Sequence, residues 1–132
     1  MDDFSDLLND SFPVPEVAEH VIQWRKTGSR VICDPPPADT DDDYVVLVSD
    51  LNRFLGALDG VGFGLDGSVP NCPLNAFVFV SMTLGKTNLI STQNEDFYKR
   101  FCAATHVAKK LNLLKKEDRV SLFQAVLYGN ER

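Results

Sequence analysis

Residues 28–48 read GSRVICDPPPADTDDDYVVLV. This stretch limits the chain's folding choices more than any other. Pro35, Pro36 and Pro37 fix their φ angles and remove three backbone donors, so the segment around them is neither a helix interior nor a central strand. Tyr44–Val48 is a short apolar run rich in β-branched residues, the pattern of a strand covered on both faces. Asp41, Asp42 and Asp43 run straight into that strand. Carboxylates at the mouth of a buried strand require a partner or a function, because a charge removed from water without one is costly.

The 132 residues are 44% hydrophobic, which suits one domain, residues 1–132, with a real core. No apolar run reaches the length of a membrane span. The opening MDDFSDLLND is acidic where a targeting segment would be basic, so the expected location is the cytoplasm. Cys33, Cys72 and Cys102 are odd in number and lack a CxxC spacing, which argues against a disulfide framework and a structural zinc site. The net charge of -6 is unevenly divided. Residues 1–66 carry 4 basic and 14 acidic side chains, a net of -10; residues 67–132 carry 9 and 5, a net of +4. Bulk nucleic-acid binding does not suit such a chain.

A loose helix is expected around Asp6–Asn9, and a short helix over Pro15–His20 with proline in its first turn. Alternation of Ile22 and Trp24 fits a strand over Val21–Thr27, whereas continuity from the preceding helix would fit a helix. The Gly28-Ser29 turn decides for the strand, with Arg30–Cys33 continuing extended. Asp50–Leu58 reads as a helix capped by Asp50, with Leu51, Phe54, Leu55 and Leu58 on one face. The glycines from Gly60 to Gly67 mark a turn-rich segment with room for a short strand. Asn75–Thr83 and Asn88–Thr92 flank LGKT as an antiparallel hairpin. Asn94 or Thr92 caps a helix running to about Asn112, with Phe97, Phe101, Ala104, Ala108 and Leu111 at helical spacing. A last helix covers Lys116–Tyr128, with Val120, Leu122, Phe123, Val126 and Leu127 on its apolar side and Gly129 as its stop. The fold class is therefore α/β: a small mixed sheet flanked by helices, ending in two helices.

Period-two alternation sends Asp41 and Asp43 to one side of the strand and Asp42 to the other, leaving Asp42 as a solvent residue. Two carboxylates on one side are a ready site for Mg²⁺, which prefers one or two carboxylates plus substrate phosphates. Two ions would clamp a phosphoryl transfer. Gly28 allows close backbone approach, and Ser29 and Arg30 can address phosphate oxygens.

This arrangement resembles the nucleotidyltransferase superfamily that includes polymerase beta-like enzymes: a Gly-Ser turn, a spacer, then Asp-x-Asp entering a strand. TNLIST and KKLNLLKKEDRVSLFQAVLYG resemble small nucleotidyltransferase-like proteins of bacteriophages, and the likeness covers most of residues 28–129. It implies a mixed sheet with flanking helices and transfer of a nucleoside monophosphate from a nucleoside triphosphate to an acceptor (protein, small molecule or RNA end). It implies that Gly28, Ser29 and Arg30 bind the nucleotide, and that Asp41 and Asp43 are catalytic and hold one or two Mg²⁺ ions. It also implies a host-cell cytoplasmic location for a phage-encoded chain. Catalytic members carry a third carboxylate on a neighbouring strand. The equivalent position here is Asn88, whose amide oxygen can ligate a metal but which cannot serve as a general base. The strand before Gly28 also carries Arg25 and Lys26, more polar than the pattern.

Three functions therefore compete: a magnesium-dependent nucleotidyltransferase, a nucleotide-binding protein without turnover, and an inhibitor that grips a host protein. LGKT is not a phosphate loop, because its first glycine would fall at Val80 and the segment reads as a hairpin turn. Lys86 in that turn lies beside the proposed site. Lys109, Lys110, Lys115 and Lys116 read as a solvated face. His20, Arg100 and His106 have no assigned role.

Overall fold

A computed structural model describes residues 12–38, 40–65 and 79–128. The helix expected at Asp6–Asn9, the start of the Asn75–Thr83 strand, Gly67, Cys72 and Gly129 lie outside those residues.

A short 3-10 helix, Pro15–His20, leads into β1, Val21–Thr27. One helical turn, α1 (Ser29–Ile32), and the proline segment follow, then β2, Asp42–Val48. After β2 come α2 (Leu51–Val61), β3 (Gly64–Leu65), β4 (Val80–Leu84) and β5 (Thr87–Thr92). Two helices, α3 (Glu95–Leu111) and α4 (Lys116–Tyr128), close the chain. The five strands lie in the order β1-β2-β5-β4-β3. β2 and β5 are parallel, and the other pairs are antiparallel. The α/β class, the mixed sheet and the two terminal helices are as the sequence predicts.

Alternation along β2 builds two cores. Val46 and Val48 face one side, where Phe54 and Leu58 of α2, Val17 of the 3-10 helix and Leu89 of β5 close over them. Val45 and Leu47 face the other side, against Tyr98 of α3 and its neighbours Phe101 and Cys102. β2 is thus covered on both faces, the arrangement expected of a central strand with a continuous apolar run. β1 is an edge strand, which accounts for its polarity: Gln23, Arg25 and Lys26 are exposed there. Charged side chains on an edge discourage pairing with another chain.

The helix limits follow local chemistry. The Asp50 carboxylate accepts from the Arg53 amide at 3.1 Å, and the Asn94 side chain accepts from the Phe97 amide at 2.9 Å. Asn94 is therefore the cap of α3, with the Thr92 hydroxyl, two residues earlier, accepting from the Asn94 amide. α2 runs three residues beyond the predicted end, through Gly60, and stops at left-handed Gly62.

Two expectations fail. Arg30–Cys33 does not continue extended. The Gly28 carbonyl accepts from the amides of Val31 and Ile32, and the resulting turn buries Ile32 and Cys33 with Ala108 of α3. Burial here overrides the extended preference of a β-branched pair. On the terminal helices, Leu111 and Val120 are exposed rather than inward, and α4 has no fully buried residue. It contributes Leu122 and Phe123 to the cluster under Ile32. Arg119 fastens the α3–α4 turn, donating to the carbonyls of Leu113 and Leu114 at 3.0 and 2.9 Å. Arg100 is held by Asp96 at 3.0 Å and by the Leu127 carbonyl. Neither Cys33 nor Cys102 is in a disulfide. No helix among the described residues is long and apolar enough to cross a membrane.

Tyr98 carries a pH signature. Burial pushes its phenol pKa up, and the Cys102 thiol beside it adds to the rise. The unfolded chain releases this proton near pH 10, while the folded chain still holds it. Stability should therefore be constant on this account below about pH 10 and fall as the pH rises above it. Urea unfolding midpoints measured from pH 9 to about pH 11.5 should drop more steeply for the natural protein than for Tyr98→Phe.

Candidate functional site

The site forms where β1 ends and β2 begins. In the sheet register Asp43 lies between Thr27 of β1 and Asn88 of β5. Its carboxylate rests against Gly28. A Cβ built on Gly28 would come within 2.1 Å of Asp43 Oδ2. Gly28 also adopts φ 82° and ψ -176°, a region essentially reserved for glycine. This position therefore requires glycine twice over, for space and for conformation.

Asn88 turns its amide nitrogen to Asp43 Oδ1 at 3.3 Å, while its oxygen accepts from the Ser81 hydroxyl at 2.9 Å. A carboxylate can only accept, so this orientation is chemically required. Asn88 is thus the neighbour of Asp43, as the resemblance implies, but it acts as a donor. Its oxygen is engaged with Ser81 and turned away from any ion that Asp43 would hold.

Arg30 and Asp42 form the second layer. Arg30 Nε lies 2.7 Å from Asp42 Oδ1, and the guanidinium also donates to the Thr40 carbonyl at 2.8 Å. The Ser29 and Thr40 hydroxyls are hydrogen-bonded to each other. Asp42, expected to be a solvent residue, is therefore the ion-pair partner of Arg30. The Asp42 amide donates to the Lys86 carbonyl at 2.8 Å, which sets the β4–β5 turn beside the site and confirms that LGKT is a hairpin turn. Asp41 is exposed immediately before β2.

Lys26, Thr27, Arg30, Asp42, Asp43 and Tyr44 line a small cleft of about 70 Å³. Pockets that enclose a drug-sized ligand run to roughly 300–1,000 Å³. This cleft has room for an ion or a phosphate group and leaves a nucleoside outside. Below it, the buried Thr27 hydroxyl is bonded to that of Thr105 on α3 at 2.7 Å, and Thr105 bonds back to the Phe101 carbonyl. Thr27, Thr40 and Thr105 escaped sequence reasoning because an isolated threonine carries no spacing signal.

No family model and no curated protein matches the sequence. Among solved structures, a crystal structure of the conserved protein GrpB from Enterococcus faecalis aligns over 99% of this chain and 92% of its own, with a TM-score of 0.56 and 12% identity. The chain is similar in fold to GrpB. At that identity the likeness concerns the fold alone. It corrects the resemblance to polymerase beta-like nucleotidyltransferases and to small phage proteins: the match across nearly the whole chain is to GrpB, not to a nucleotidyltransferase. The Gly-Ser turn and Asp-x-Asp entry are a short local pattern, and such a pattern does not specify a family.

Asp43 lines the cleft, whereas Asp41 lies exposed just before β2 and is not among the lining residues. Among the described residues no cluster of three or more His, Cys, Asp or Glu side chains is placed to hold a metal. A two-ion arrangement would have to draw on further groups.

Gly28→Ala should lower stability by about 1–3 kcal/mol from the backbone conformation, with an added cost from the clash. Adding Asp43→Gly should recover the clash component but not the conformational one. Urea unfolding of the two single variants and the double variant separates the two costs.

Proposed function

We propose that this is a cytoplasmic binding protein for a magnesium-complexed phosphoanhydride, a nucleoside triphosphate in the first instance, and that it acts without nucleotidyl transfer. The supporting observation is the seating of the Asp43 carboxylate on Gly28, between Thr27 and Asn88. A rigid strand presents this group at the mouth of a cleft, with Asp41 two residues upstream. In this reading Asp41 and Asp43 hold one magnesium ion. The ion neutralises the ligand's phosphate oxygens and takes some of them as its own ligands. Arg30 supplies a planar, permanent positive charge for the phosphates that extend past the ion. The small cleft favours recognition of phosphate over base.

Transfer to an acceptor would need a group to take the acceptor's proton. Asn88 occupies the neighbouring strand position and has no proton-accepting capacity at neutral pH. Binding without turnover is therefore the better account of these residues.

Titration calorimetry of the full chain with ATP, GTP, CTP and UTP tests this directly. Heat of binding should appear in magnesium and vanish with EDTA. Asp41→Asn combined with Asp43→Asn should weaken binding by roughly tenfold or more, with circular dichroism showing that the variant is folded. Equal affinity with and without magnesium would refute the reading. Transfer of label from α-labelled nucleotide to any acceptor would replace it with an enzymatic one.

A further inference from the structure

Arg30 and Lys26 are the cleft's two cations, and two of the three nitrogens of the Arg30 guanidinium are occupied. Nε faces Asp42 Oδ1 at 2.7 Å, and a terminal nitrogen donates to the Thr40 carbonyl at 2.8 Å. Both acceptors belong to the short segment that returns from the prolines into β2. The Arg30 and Asp42 side chains are 44% and 45% exposed. An ion pair that open to water is weak and exchangeable. A phosphate group offers more charge than one carboxylate, and it matches the guanidinium fork with two parallel hydrogen bonds.

We propose that Asp42 is a specificity-determining residue that occupies Arg30 until a multiply charged phosphate displaces it; this rests on the binding reading above. Asp42 keeps Arg30 folded into the cleft and electrically neutral. A singly charged anion gains little by replacing one carboxylate with another charge of the same size. A phosphoanhydride bound to magnesium gains a bidentate contact and releases Asp42 to solvent. The Thr40 carbonyl loses its donor in the same step. The strand partners of Asp42 are untouched, because its amide remains bound to the Lys86 carbonyl.

The test is a double-mutant cycle read by titration calorimetry with ATP in magnesium and, separately, with inorganic phosphate. Asp42→Asn should tighten ATP binding by roughly two- to fivefold and should also raise affinity for inorganic phosphate. Its affinity should fall more steeply with added chloride than that of the natural protein, because chloride then competes for an uncovered Arg30. In an Arg30→Ala background the gain from Asp42→Asn should disappear. An unchanged or weaker Asp42→Asn variant overturns the proposal while leaving the binding reading in place. A gain that persists without Arg30 overturns it as well, since Asp42 would then act through net charge alone. Absence of magnesium-dependent binding by the natural protein overturns the binding reading itself, and this proposal with it.

Discussion

The close approach of Asp43 to Gly28 is the contact on which the surrounding structure depends. The carboxylate takes the space of a side chain at residue 28, so the chain there must be glycine. Glycine in turn permits the unusual backbone conformation from which α1 begins. That single turn rotates Ile32 and Cys33 beneath α3. The proline segment then carries the chain back to Thr40, which Ser29 and Arg30 hold from the other side. Thirteen residues of excursion therefore end close to where they started.

The two faces of the sheet divide the work. On the α2 side the contacts are almost wholly apolar, with Phe54, Leu58, Val46 and Leu89 fully buried. On the α3 side the core gives way to hydroxyls and amides toward the mouth of the site: Thr27 with Thr105, and Asn88 between Ser81 and Asp43. Buried polar groups are tolerable when each has a partner. This network gives the aspartate-bearing end of β2 a fixed geometry without adding a charged cluster to the core.

Much of the fold was legible because its signals are local. Tyr44–Val48 carries the mark of a central strand, Asp50 and Asn94 carry the marks of caps, and the spacing from Phe97 to Ala108 is helical. The Arg30–Cys33 turn was not legible. Its residues prefer extended backbone, and only burial under α3 explains the turn. The inward face assigned to Leu111 and Val120 failed for a related reason: a helix at the margin of a two-helix hairpin has fewer neighbours than its periodicity implies. At the site, Asn88 was placed beside the aspartates only by the resemblance to nucleotidyltransferases, and the parallel pairing of β2 with β5 is what sets it opposite Asp43. The role of Asp42 was not legible, since alternation says which side a residue takes and nothing about Arg30 reaching around the strand's end.

The amino-acid sequence by itself determined most of the elements, the α/β class and the charged residues from which a site can be built. Those follow from periodicity, proline and glycine chemistry and capping, which act over a few residues. Tertiary structure alone decided which of these residues meet. It placed Asp43 on Gly28, turned the amide of Asn88 toward a carboxylate and its oxygen toward Ser81, and joined Arg30 to Asp42. It also decided the fold's likeness to GrpB, because a whole-chain arrangement is a property of strand order and packing that no short motif carries.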